Sequence, residues 1–476
     1  MFNDEKEINL ELKNRLLDFM REDAYKPLSH DELVQAFQDD SFQVPELDEV
    51  LNSLLEEGSI IITRKNKYGL TEKMNMVAGR IQGNKKGFGF LIPDNKDLRD
   101  LFIPAENLNG AMNDDRVIVR LTAGESETRK SEGEVIRILK RANTRIVGTF
   151  ENGNGYGFVV PDDPRIYQDI FVSKSDFNGA KDGYKVVVEI TRWPEARRNP
   201  EGIVVEVLGH KDDVGTDILS IIRGHNLPEE FPIEVENQAA KIPELVSDAD
   251  IAKRRDLREK TIVTIDGEDA KDLDDAVSLE ILPDGNYLLG VHIADVSQYV
   301  FENSHLDKEA LKRGTSVYLI DRVVPMLPKR LSNGICSLNP QIERLTLSCD
   351  MVIDKKGKVK EYEIYESVIK TRERMTYENA NKILAGSDPM LTERYGYLID
   401  TFRQMEELML ILNKKRRLRG SIDFEFEETK IILDEKGRPI EIKPYERGIS
   451  ERIIEEFMLV CNETVAEHMY WKEIPF

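Results

Sequence analysis

The sequence predicts a multidomain chain of mixed α and β structure: a helical domain with a hairpin, two β-barrels, and a larger α+β region. Three observations predict this. The first 75 residues carry apolar positions at helical spacing and then two short strand-like runs. Residues 76–210 contain an internal repeat of aromatic-Gly-aromatic strands. From about residue 251, strand-like and helical segments alternate around a loop holding six carboxylates in ten positions. At 476 residues, several cores are expected rather than one.

Leu12, Leu16, Phe19 and Met20 form one helical face. Ser29 with Glu32 reads as a capping box before Leu33 and Phe37. Pro45 opens a third helix bearing Leu47, Val50, Leu51, Leu54 and Leu55, and Gly58 closes it. Ile60–Thr63 and Lys67–Leu70 then pair about a basic tip. This is a winged-helix pattern over 1–75. Its third helix, the usual groove reader, carries Glu46, Asp48, Glu49, Glu56 and Glu57 and no Lys or Arg, which argues against sequence-specific DNA reading. The wing, with Arg64, Lys65 and Lys67, is the better contact surface; the alternative is a domain that only packs on its neighbours.

In the repeat, Gly79-Arg80-Ile81 leads to Lys86-Gly87-Phe88-Gly89-Phe90 and Leu101-Phe102-Ile103. Gly148-Thr149-Phe150 leads to Gly155-Tyr156-Gly157-Phe158 and Ile170-Phe171-Val172. Strand side chains alternate, so aromatic-Gly-aromatic puts both rings on one face and leaves the other open at Gly. The pattern indicates two OB-type, cold-shock barrels over 76–142 and 143–210. Phe88, Phe90 and Phe102, with Lys86 beside them, are expected to stack single-stranded bases. The competing reading is barrel core, and for the second copy, where Glu151, Asn152 and Asn154 replace the cations, the two readings stay level.

Residues 211–250 are acidic and dotted with Pro228, Pro232 and Pro243, as in a connector holding a short helix or two. Beyond them, Thr261–Ile265, Ala276–Ile281 and Asn286–Ile293 read as strands, and Ser304–Lys312, Tyr377–Ala385, Glu393–Lys415 and Ile449–His468 as helices. The acidic loop runs from Asp266 through Glu268, Asp269, Asp272 and Asp274 to Asp275. Two unit charges about 4 Å apart repel by roughly 4 kcal/mol at an effective dielectric near 20. Converging carboxylates therefore call for a divalent cation, and oxygen-only donors suit magnesium. Ala270 and Lys271 break the alternation of a calcium EF-hand loop. In an extended loop Asp272 and Asp274 would face opposite to Asp275, so the loop must bend, with Gly267 at its start. Taken alone, a solvated acidic turn is an equal reading.

The acidic loop, with Arg254-Arg255-Asp256-Leu257 before it and His292-Ile293-Ala294-Asp295-Val296-Ser297 after it, resembles the catalytic signature of the RNase II/RNase R family of exoribonucleases. Arg313–Tyr318, Asp321–Pro328 and Leu331–Pro340 continue the resemblance in order and spacing, and the N-terminal extension is similar to the RNase R branch. The resemblance implies an RNB catalytic domain over 251–476, C-terminally incomplete at Phe476. An OB-type RNA-binding domain and often a lysine-rich tail would follow. It implies magnesium-dependent, hydrolytic, processive 3′→5′ degradation of single-stranded and structured RNA to nucleoside 5′-monophosphates. Asp266, Asp272, Asp274 and Asp275 would be the functional aspartates, with Asp266, Asp272 and Asp275 on magnesium and Asp274 at the most sensitive step. Tyr318 and Phe424 would bracket the base stack, and Glu456, or its neighbour Glu455, would meet the terminal ribose. His292 and Asp295 suit supporting roles, and Lys414–Arg419 is either a solvated helix end or part of a phosphate channel. The competing class is an RNA-binding module with an inactive, truncated catalytic half.

Composition bounds the rest. The mean hydropathy is −0.44, no run has the length of a membrane span, and residues 1–6 lack the pattern of a signal peptide. Cys336, Cys349 and Cys461 fit reduced thiols in a cytoplasmic protein rather than a metal site. The net charge of −22 is unusual for an RNA enzyme and implies either a local basic channel or basic parts elsewhere. Expected partners are single-stranded RNA 3′ ends, with the ribosome or RNA-decay proteins beyond them, and neither membrane nor sequence-specific DNA.

Overall fold

The computed structural model describes residues 2–22, 25–37, 44–123, 131–195, 198–422, 429–445 and 447–475, with no side-chain account before Leu10. The chain forms two compact units, Met1–Leu227 and Pro228–Phe476. The expected multidomain mix of α and β structure, with two closed barrels ahead of a larger α+β region, is observed.

The first unit begins with α1 (Phe2–Arg21), α2 (His30–Ala36) and α3 (Val44–Glu57), then a hairpin of β1 (Ile60–Ile62) and β2 (Tyr68–Leu70). Leu12, Leu16, Met20, Leu33, Leu47, Val50, Leu51, Leu54 and Ile60 make its core. The Ser29–Glu32 capping box forms, and Gly58 ends α3 at φ +75°. At the hairpin, Lys67 pairs with Glu32 at 3.0 Å, while Arg64 and Lys65 are exposed.

Two closed five-stranded barrels follow. β3 (Met76–Gly83), β4 (Gly89–Pro93), β5 (Leu101–Ile103), β6 (Arg116–Ala123) and β7 (Glu132–Lys140) close in the order β3-β4-β5-β7-β6. β8 (Arg145–Asn152), β9 (Tyr156–Pro161), β10 (Ile170–Ser173), β11 (Tyr184–Arg192) and β12 (Glu201–His210) repeat that order, with one parallel pair completing each barrel. α4 (Thr216–Gly224) packs on the second barrel, where Arg223 bridges to Glu206. Its amphipathic face makes this stretch part of a barrel domain rather than of a free connector.

The second unit starts with α5 (Ile233–Ala240) and α6 (Asp248–Ile251). A seven-stranded sheet carries the rest. Its strands are β13 (Arg255–Asp256), β14 (Val263–Asp266), β15 (Asp275–Ile281) and β16 (Tyr287–Ala294). After α7 (His305–Arg313) and the small hairpin β17 (Val317–Tyr318) with β18 (Val323–Val324) come β19 (Glu343–Ile353), β20 (Val359–Lys370) and β21 (Glu373–Thr376). The order is β13-β20-β19-β16-β15-β14-β21. α8 (Tyr377–Ala385), α9 (Pro389–Arg394) and α10 (Ile399–Arg419) follow, then the hairpin of β22 (Thr429–Leu433) with β23 (Pro439–Pro444), and α11 (Ile449–Trp471). Val277, Leu289, Val291, Met351, Phe402, Met405, Leu408, Phe457 and Cys461 build the core between the sheet and α8, α10 and α11. A second core, including Leu273, Ala276, Leu331, Ile335 and Val368, fills the opposite face. Burial on both faces explains why the central strands read as nearly continuous apolar runs. Among the described residues no helix is long and apolar enough to cross a membrane.

Candidate active site

The acidic loop joins two adjacent antiparallel strands. Asp266 ends β14 and Asp275 begins β15. Leu273 is buried in the second core and anchors the loop from below. Its N–H donates to Ser337 Oγ at 3.1 Å, that hydroxyl donates to Lys271 O at 2.8 Å, and Leu338 N–H reaches Leu273 O at 2.8 Å. Arg374, on β21, donates from Nη2 to the carbonyls of Gly267, Glu268 and Ala270 at 3.2, 2.6 and 2.8 Å. The loop therefore bends as the sequence requires, with its carbonyls turned to a guanidinium and Leu273 turned to the core. Glu268 and Asp269 face solvent.

The electrostatics are those of carboxylates crowded together. Burial, then Asp275, with Asp274 and Asp272 adding and Arg374 opposing, pushes the Asp266 carboxyl up to about 7. Partial desolvation, then Asp272 and Asp275, pushes Asp274 up to about 6, although Asp274 is the most solvent-open of the four. Burial also raises Asp275. Asp266 Oδ2 is buried with no hydrogen-bond partner. A lone buried acceptor beside like charges is costly unless a cation supplies the missing partner. An all-oxygen donor set fits a hard divalent ion.

Among the described residues, however, no group of three or more His, Cys, Asp or Glu side chains is already gathered as an ion cage. The expected cage of Asp266, Asp272 and Asp275 is not gathered among them, and Asp272 Oδ2 accepts a 2.6 Å hydrogen bond from Tyr318 Oη. Carboxylates that repel one another take whatever protein donors lie within reach.

The remaining expected residues divide. The Tyr318 ring is 65% exposed, open to a stacking partner. Phe424 lies outside the described residues. Glu456 is buried and accepts from Asn413 Nδ2 at 2.8 Å and from Arg416 Nε and Nη2 at 3.0 and 2.8 Å, which ties α11 to α10. In this arrangement it is a helix cross-link, whereas Glu455 is more open. The basic run does related work, with Arg419 pairing to Glu463 and Lys415 donating to Gly357 O. Asp295 is buried against Arg254 and accepts from Ser297 Oγ. His292 is fully buried, 3.1 Å from Ser278 Oγ and 2.7 Å from Ser348 Oγ. Ser348 continues to Ser367 at 2.6 Å, so a side-chain network crosses β15, β16, β19 and β20. Sequence reasoning missed Arg374, Ser337 as a loop anchor, and Tyr377, whose hydroxyl is raised by burial and then by Asp266 and Asp275. Their signal is tertiary: Arg374 stands 104 positions from Ala270.

On the first barrel, Phe88, Phe90 and Phe102 form a triad with centroids 5.5–5.8 Å apart. The rings are half-buried and lie outside the barrel core of Ile81, Leu91, Ile103, Val117 and Val119. Tyr156, Phe158 and Phe171 repeat the triad on the second barrel, with Tyr156 45% exposed. The inner face at the intervening glycine is filled rather than open: a Cβ on Gly157 would sit 2.5 Å from the buried Phe150 ring.

Comparison with known proteins adds three family matches: the RNB domain over residues 254–476, the cold shock domain over 158–232, and the Ribonuclease B OB domain over 79–138. The chain is 47% identical to Ribonuclease R of Thermotoga maritima over 463 residues, covering 96% of this chain and 64% of that one. It is 42% identical to Ribonuclease R 1 of Lactococcus lactis over 483 residues, covering 98% and 59%. Among solved structures, that of Mycoplasma genitalium RNase R in complex with ribose methylated single-stranded RNA matches with a TM-score of 0.76 at 31% identity, over 84% of this chain and 62% of that one. The chain thus spans less than two thirds of the length of each.

Proposed function

Because this chain belongs to the RNase II/RNase R family, we propose that it serves hydrolytic 3′→5′ degradation of RNA, with magnesium as the metal. The observation that carries the reading is the coupled group of Asp266, at the end of β14, Asp275, at the start of β15, and Asp272 and Asp274 on the loop between them, with one Asp266 oxygen buried and unpartnered. Asp266, Asp272 and Asp275 would hold the ion once Tyr318 releases Asp272. When bound, magnesium supplies a Lewis acid that neutralises charge developing on the scissile phosphate.

The chain's own residues do the rest. Arg374 and Ser337 hold the loop backbone in its bent form, which leaves the carboxylate side chains as the parts that move when an ion is taken up. Asp274, raised to about 6 by desolvation and then by Asp272 and Asp275, would be the group that exchanges a proton with the attacking water or the leaving 3′ oxygen. Water adds to the phosphorus, the bond to the 3′ oxygen breaks, that oxygen takes a proton, and the released nucleotide keeps a 5′ phosphate. Stacking on Tyr318 and on the barrel triads is indifferent to base identity and suits processive movement along single strands. The 2′-hydroxyl gives the site its means of preferring RNA. Three buried free thiols suit a cytoplasmic location, where ribosomes and RNA-decay proteins would be the partners.

The test is release of mononucleotides from an RNA with a 3′ overhang, in magnesium with and without chelator. Chelator-sensitive release that is lost in Asp274→Asn supports the reading. Retained RNA binding without release favours the second reading, an RNA-binding module, for which the unassembled cage and the engaged Asp272 speak.

A further inference from the structure

The loop between β9 and β10 of the second barrel lies against the first barrel, and two glycines admit it. A Cβ on Gly83 would sit 2.2 Å from Arg165 O, and one on Gly87 would sit 3.3 Å from the Tyr167 ring. The loop is pinned at several points. Asp163 accepts from Arg165 N–H and Nε at 2.9 Å, and Ile166 is buried in the second barrel's core. Asn113 Nδ2 lies 3.4 Å from Asp163, while its Oδ1 accepts from Gly83 N–H at 3.0 Å. Tyr167 thus rests on the Asn84–Gly87 turn next to Phe88, and its ring stays 43% exposed. Lys85 and Lys86, on the same turn, are exposed cations.

We propose that Tyr167 is a fourth stacking ring for single-stranded RNA bound on the first barrel, which makes that binding face a composite of both barrels. The inference rests on the reading of the Phe88–Phe90–Phe102 triad as a base platform. A ring already fixed by its neighbour's backbone loses little freedom when a base lies on it. The adjacent lysines neutralise the phosphates of the nucleotides that reach it. The pinned loop sets this ring against the turn that leads into Phe88, with which it lines one small cavity, so a base can reach it from the triad without an added strand.

The experiment uses the full chain in chelator, which blocks hydrolysis, and measures binding of a fluorescent single-stranded RNA by anisotropy. Tyr167→Leu keeps apolar packing on Gly87 and removes the π-face; Tyr167→Phe keeps both. Expected is a Kd raised about 5- to 50-fold in Tyr167→Leu, within the span of one lost base stack, and a Kd within twofold of the parent in Tyr167→Phe. Thermal unfolding at the parent's midpoint certifies the fold of each variant. Unchanged binding in Tyr167→Leu alongside weakened binding in Phe90→Ala overturns the composite face and leaves the platform reading standing. Unchanged binding in both overturns the platform reading as well. Equal weakening in Tyr167→Leu and Tyr167→Phe overturns stacking in favour of a contact through the hydroxyl.

Discussion

Binding of a divalent cation should release protons from the crowded carboxyls. With Asp266 at about 7 and Asp274 at about 6, a neutral solution leaves these carboxyls partly protonated. At pH 7 the first holds about half a proton and the second about a tenth, treated as independent sites, so these two give up about 0.6 proton per ion bound, to which Asp275, also raised, adds. At pH 6 the same reasoning gives about 1.4 protons, and at pH 8 about 0.1. The charges are coupled, so the protons belong to the cluster rather than to single residues, but their total follows from the crowding. Calorimetric titration of magnesium in two buffers of different ionisation enthalpy reads the number directly, from the dependence of apparent heat on buffer. Asp266→Asn should remove most of the release at pH 7. Heats that do not depend on buffer at pH 6, with binding still present, would refute the argument that the aspartates are crowded until a cation arrives.

Three further outcomes follow from the surrounding structure. Burial, with Lys260 adding, pushes His292 down to about 3, so below pH 6.5 the unfolded chain takes up a proton that the folded chain refuses. Stability is therefore intact above pH 6.5 and falls by up to about 1.4 kcal/mol per pH unit as the pH drops toward 3; urea midpoints of His292→Asn should lie below the parent's at pH 7.5 and converge on them at pH 5. Removing one member of the buried Arg254–Asp295 pair, as in Asp295→Leu, should cost about 3–5 kcal/mol, with Arg254→Met in the same chain recovering part of it in urea unfolding. Arg374→Gln should raise hydrogen exchange about 10- to 100-fold in residues 267–273, since a charged donor to loop carbonyls is worth about 1.5–3 kcal/mol; protection equal to the parent's would mean that Leu273 and Ser337 hold the loop without it.

Periodicity carried far into this fold. The Ser29–Glu32 box, the stop at Gly58, the barrels' aromatic repeats, and α8, which runs over the expected Tyr377–Ala385, were all legible because each depends on residues within one or two turns of chain. The helix expected over Glu393–Lys415 is instead two, α9 and α10, separated at Tyr395–Leu398, where a short 3₁₀ turn intervenes. The stretch 211–250 was less legible, since an acidic composition hides the amphipathic face that docks α4 on the second barrel.

By itself the sequence determined the order of elements, the two repeated barrels and the acidic loop between strands, because those are set by local spacing and by the chemistry of carboxylates. Only the tertiary structure decided which groups answer those charges. The parallel pairing of β14 with β21 brings Arg374 under the loop, the β17–β18 hairpin delivers Tyr318 to Asp272, and the α10–α11 contact buries Glu456 against Arg416. The partners are separated by 104, 46 and 40 positions, so no local pattern records them. A charge is answered by whatever lies within a few ångströms, and that is a property of the fold.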